Sequence, residues 1–117
     1  MTSKELVENI VKILDEKKAE EIAALETASL TVVSDYFVIA TGNSSTHVKS
    51  LADDVEYGMQ QLGVEPDHIE GRATGWILLD YNDVLVHVFT RDNRDYYNLE
   101  HLWADAKPVD ISGLITE

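Results

Sequence analysis

The stretch GWILLDYNDVLVHVF, Gly75 to Phe89, decides the fold. Two apolar runs flank Asn82-Asp83, and Asn tolerates the positive φ that a type I′ hairpin turn needs. A two-residue turn there pairs Tyr81 with Val84, Leu79 with Val86 and Ile77 with Val88. Side chains alternate along a strand, so these six share one face, and that face is core. The other face carries Trp76, Leu78 and Asp80 against Phe89, His87 and Leu85. It is too apolar for open water and too polar for an ordinary dry core. Either a helix covers it or another molecule does.

Outward from the hairpin, the chain reads as one domain. Its 117 residues can bury a real core, and 44% hydrophobic with 26% charged residues is ordinary for a globular protein. No apolar run reaches the roughly 18 residues of a membrane span. The N-terminal MTSKELVENIVKILDEKK reads as an amphipathic helix rather than an export signal. There are no cysteines, which excludes disulfides, thiolate catalysis and cysteine-bound zinc, and favours the cytosol. Twenty-two acidic and nine basic residues give a net charge of −13. Phosphate backbones repel such a chain, so nucleic acid is a poor partner and a basic protein a better one, unless the charge serves only solubility.

The predicted elements alternate. Thr2 and Glu5 form a capping box for a first helix ending near Lys17-Lys18, with Leu6, Ile10, Ile13 and Leu14 on its inner face. Glu21 to Glu26 is a short strand, and YFVIAT, Tyr36 to Thr41, is a strand covered on both faces. Ser44 or Ser45 caps a second helix whose face is Val48, Leu51, Ala52, Val55, Met59 and Leu62, stopped by Gly63. His68 to Glu70 is a third strand before the hairpin. Asp92 caps a last helix with Tyr96, Leu99, Leu102 and Trp103 on or near one face, ending before Pro108. The expected architecture is a single-domain α/β/α sandwich on a mixed sheet of about five strands, spanning 1–108, with a loosely held tail at 109–117.

The strand–Gly42–helix junction could hold an anion on free backbone N–H groups, but it reads first as a capped helix. Nucleotidyltransferases follow a related turn with paired metal-binding carboxylates; here that pair is missing, and Asp80 and Asp83 simply flank a turn. His47, His68, His87 and His101 show no metal-ligand spacing, and neither a GxSxG elbow nor a phosphate-binding glycine loop is present. Trp76, Tyr97 and Trp103 are either partner contacts or core, since large amphipathic aromatics serve both roles.

Three blocks carry a resemblance: SDYFVIATGNSSTHVKSLAD, GWILLDYNDVLVHVF and YYNLEHLWADA. In this order and spacing the chain resembles the ribosomal silencing factor (Iojap-related) family over nearly its whole length. It departs at Asn82, where that family commonly has Gly. The resemblance implies a nucleotidyltransferase-like fold without catalytic carboxylates, no cofactor and no enzymatic step. It implies binding to large-subunit ribosomal protein fourteen, a steric block on joining of the small subunit, and lower translation when nutrients are short. Organellar relatives act in large-subunit assembly, and a homodimer is compatible. From side-chain chemistry, the expected contact residues are Trp76, Leu78, Asp80 and Tyr81 of the hairpin, extended by Arg94, Tyr97, Glu100 and Trp103.

Overall fold

A computed structural model describes residues 1–30, 34–71 and 75–115. In chain order the elements are α1 (Ser3–Glu16), β1 (Glu20–Glu26), β2 (Tyr36–Gly42), α2 (Ser45–Gln61), β3 (His68–Glu70), β4 (Trp76–Asp80), β5 (Val84–Thr90), α3 (Arg91–Tyr97), α4 (Leu99–Leu102) and β6 (Lys107–Pro108). They build one mixed sheet in the order β3-β4-β5-β2-β1-β6. The central β2–β5 pair is parallel, and every other pairing is antiparallel. The sheet has six strands rather than about five. The sixth is only Lys107-Pro108, paired to Leu25 and Glu26, and two residues carry no alternation for a sequence reading to find.

The hairpin register is as expected. Ile77 pairs with Val88, Leu79 with Val86, and Tyr81 N–H donates to the Val84 carbonyl at 2.9 Å. The turn itself differs. Asn82 takes φ +70 but Asp83 is not in the left-handed region, so the type I′ geometry is replaced. Asp83 N–H instead bonds back to the Tyr81 carbonyl, and the Asp80 carboxylate accepts the Asn82 N–H at 2.8 Å.

The inner face of the sheet is covered by α1 and α2. Thr2 and Glu5 form the capping box, and Leu6, Val7, Ile10, Val11 and Leu14 are buried. Ser44 caps α2, which buries Val48, Leu51, Ala52, Val55 and Met59. These side chains pack on Val38, Ala40, Ile77, Leu79, Val84, Val86 and Val88. Leu62 falls outside this face: it is the C-cap residue and 49% exposed. Gly63 at φ +82 then closes the helix, with its own N–H on Gln60 and the Val64 N–H on Met59.

The expected last helix is two short ones. Thr90, not Asp92, is the N-cap, and Asn98 at φ +46 breaks the helix after Tyr97. The break rotates the second segment, so Tyr96 and Leu102 do not share a buried face: they are 81% and 71% exposed. After Pro108, residues 109–115 are held rather than loose. Val109 donates to the Ala24 carbonyl, and Val109, Ile111, Leu114 and Ile115 pack against the core.

Gly42 sets how closely α2 approaches β2. A Cβ there would lie 2.8 Å from Val48 Cγ2 and 2.9 Å from Val48 N. Backbone cannot yield as a flexible side chain can, so Gly42→Ala is expected to destabilise the fold by about 2 kcal/mol, the usual cost of overpacking. Urea unfolding of the two proteins measures it. An unchanged midpoint would mean that α2 can move away freely.

Candidate functional site

The outer face of the sheet is built by the odd-numbered residues of β2 and β5. Phe37, Ile39, Thr41, Leu85, His87 and Phe89 all point away from the α1–α2 layer and are all buried. No long helix covers them. Their cover is an aromatic layer drawn from β4, α3 and the end of α4. Trp76 stacks on Phe89 with centroids 5.0 Å apart and meets Tyr97 at 4.5 Å. Trp103 sets its edge on Phe37 at 5.2 Å, and Phe37 in turn lies 4.9 Å from His87. The mixed character of this hairpin face is thereby explained: the aromatics cover one another.

Among the described residues the layer does not close completely. Between β3, β4 and α3 lies a groove of about 390 Å³ lined by Glu70, Gly71, Trp76, Leu78, Asn93 and Tyr97. Its walls are rings and a leucine, with one carboxylate and one carboxamide at the edge. This composition suits a partner side chain with an apolar body and a polar or cationic tip. Tyr97 is 42% exposed, and Tyr96 stands edge-on to it at 5.1 Å.

A buried arginine holds the groove's helical wall in place. Arg94 is 6% exposed. Its Nε and Nη2 donate to the two Glu100 oxygens at 3.0 and 3.1 Å. Its Nη1 donates to Thr41 Oγ1 at 2.8 Å and to the Glu21 carbonyl. The bidentate pair joins α3 to α4, while the other two bonds tie both to β2 and β1. Glu21 sits in an irregular stretch of β1 at φ +47, which aims its carbonyl at the guanidinium.

The expected contact residues therefore fall into separate groups. Trp76, Leu78 and Tyr97 come together in the groove. Arg94 and Glu100 are each other's partners beside it. Trp103 lies over Phe37. Asp80 sits at the hairpin end, 3.5 Å from His68 Nε2. Tyr81 is on the opposite face, buried in the core, where burial raises its phenol well above the usual range. Sequence reasoning did not single out Asn93 and Glu70. Asn93 had a readable signal: it stands four residues before Tyr97 and so shares its helix face.

At the Gly42–Ser45 junction, backbone amides serve local caps. Asn43 N–H donates to His47 Nδ1 at 2.9 Å, and His47 N–H donates to Ser44 Oγ at 3.1 Å. With Nδ1 accepting, the ring proton sits on Nε2, which meets the Lys17 carbonyl at 3.1 Å. The junction thus ties the end of α1 to the start of α2, and the glycine permits the close approach to Val48.

His87 is the buried titratable group of the aromatic layer. The Trp76 indole N–H donates to its Nδ1 at 3.2 Å, and its Nε2 has no hydrogen-bond partner among the described residues. Burial pushes its pKa down to about 4. An unfolded histidine titrates near 6.5, so between these values the unfolded chain binds the extra proton and folding loses stability as pH falls. The full loss is roughly 3 kcal/mol, complete by about pH 4 and absent above about pH 6.5. His87→Leu is expected to flatten the decline of stability between these pH values, measured by urea unfolding across the range. An identical slope in both proteins would contradict the assignment.

Comparison with known proteins agrees with this architecture. A ribosomal silencing factor from Halalkalibacterium halodurans is 40% identical over 117 residues, covering 99% of this chain and all of the relative. The X-ray structure of a Chromobacterium violaceum protein superposes with a TM-score of 0.86 at 35% identity, over 89% of this chain and 88% of the other. A mouse protein named for mitochondrial assembly of the ribosomal large subunit is 27% identical, over 83% of this chain and 44% of its own length. The family model described as "ribosomal silencing factor during starvation" matches residues 1–117, and the chain belongs to that family.

Proposed function

We propose that this protein binds the large ribosomal subunit through large-subunit ribosomal protein fourteen. Seated there, it covers the face on which the small subunit docks and so lowers translation when nutrients are short. The carrying observation is the incompletely closed aromatic layer: a groove walled by Trp76, Leu78 and Tyr97, with Tyr96 standing beside it in solvent. Family membership supplies the ribosome. The action is steric and needs no catalytic step, and its place is the cytoplasm, where the subunits meet.

The net charge of −13 suits a basic partner and hastens encounter, whereas the rings govern residence. Trp76, Leu78 and Tyr97 are the contact residues under this reading. Arg94 and Glu100 hold the helical wall. A second copy of the chain seated on the same groove would exclude the ribosome. The name of the mouse relative favours a second reading, in which the same surface engages a large subunit under assembly.

The test is reassociation of purified subunits on a sucrose gradient. Saturating protein is expected to leave the subunits apart, and it should co-sediment with the large one alone. Tyr97→Ala should weaken that co-sedimentation by roughly 10- to 100-fold, the cost of removing an aromatic anchor. Tyr57→Ala, an exposed tyrosine on α2, should leave it unchanged. Full reassociation at saturation would overturn the proposal.

A further inference from the structure

A hydrogen bond helps to orient the groove wall. Ring contacts between Trp76 and its neighbours Phe89 and Tyr97 tolerate sliding and rotation, so they do not fix which edge of the indole faces the groove. The indole N–H does. It is a donor only, so the atom it meets, His87 Nδ1, must present a lone pair. That requires a neutral imidazole carrying its proton on Nε2. The surroundings enforce neutrality: His87 is 5% exposed, lies 4.9 Å from the Phe37 ring and is parallel to Phe89. The tautomer leaves Nε2–H buried without a partner among the described residues. A leucine or phenylalanine at position 87 would fill such a site without that penalty. The compensating feature is the acceptor that the ring gives Trp76.

We propose that His87 is a positioning residue for partner binding, holding the Trp76 indole as the fixed wall of the groove without touching the partner itself. The inference rests on the reading of the groove as the ribosome-docking surface. A wall set before encounter loses less freedom on binding than one that must be ordered in the complex. His87 thus acts mainly on how long the complex lasts.

Two measurements test it. In the free protein, nitrogen NMR of the His87 ring should show Nδ1 unprotonated and Nε2 protonated. His87→Leu should shift the Trp76 indole N–H resonance towards that of an exposed indole and speed its exchange. His87→Asn, whose side-chain oxygen can occupy the place of Nδ1, should restore the wild-type resonance. In co-sedimentation with large subunits, His87→Leu should bind at least ~10-fold more weakly with its thermal midpoint near that of wild type, and His87→Asn within ~3-fold of wild type. Trp76→Phe keeps the ring and removes the N–H. Its loss should not add to that of His87→Leu, which keeps the test decisive if either single variant folds poorly.

A ring protonated on Nδ1 overturns the proposal. So does a His87→Leu protein that binds as wild type although its indole has moved. Failure of the wild-type protein to co-sediment overturns the docking reading instead, and the tautomer and indole resonance then still report whether His87 holds Trp76.

Discussion

Two neighbouring parallel strands that must be buried on both faces shape everything else in this molecule. β2 and β5 pair from Tyr36–Val84 to Gly42–Thr90, and their side chains are covered above and below. Parallel strands take this form because the crossover linking them places helices against the sheet. The inner face receives two helices of 14 and 17 residues, enough for continuous apolar stripes. The outer face receives only a seven-residue and a four-residue helix. So little backbone cannot roof the surface, and large side chains do the covering: Trp76, Tyr97 and Trp103. A roof made of rings has gaps between them, and the groove is such a gap.

A short helix has almost no stability of its own, since nucleation is costly and few bonds follow. α3 and α4 therefore need an outside hold, and Arg94 provides it. Four acceptors from β1, β2 and α4 converge on one guanidinium. Such a pair, buried on the Arg94 side only, adds little net stability, because taking the guanidinium out of water costs about what the attraction returns. What it contributes is geometry. The planar fork admits few arrangements, so α3 and α4 keep one relation to β1 and β2. The same contact sets where Tyr97 and Trp103 lie, although neither of its side chains lines the groove.

Local features of this fold could be read from the chain, and distant ones could not. The hairpin pairs, the α1 capping box and the Gly63 stop each depend on residues within a few positions, where alternation and spacing are visible. The turn type failed because the Asp80 carboxylate captured the Asn82 N–H, a local competitor that pattern alone does not rank. The helix break at Asn98 left no periodic signal: bending the chain there lets Glu100 meet Arg94 six residues before it. Of the candidate site, three residues gathered as chemistry suggested. Tyr81 was placed in the core by its own alternation, and its phenol does not override that. Arg94 looked like an interface anchor because composition cannot distinguish an arginine awaiting a partner from one that already has it.

This division of labour bears on how a steric block would work. An obstacle must arrive quickly and leave slowly, and different forces govern these steps. The −13 charge acts at a distance and is screened within about 8 Å at physiological ionic strength, so it governs arrival and weakens with salt. The ring-lined groove acts only on contact and depends on apolar burial, which salt does not screen. Raising salt should slow capture of the subunit while leaving the lifetime of the formed complex nearly constant. Under the proposed reading, residence would rest on a groove whose walls are fixed beforehand, by Arg94 on the helical side and by the Trp76–His87 bond on the strand side. Most of the ordering needed for a lasting contact has then already occurred during folding.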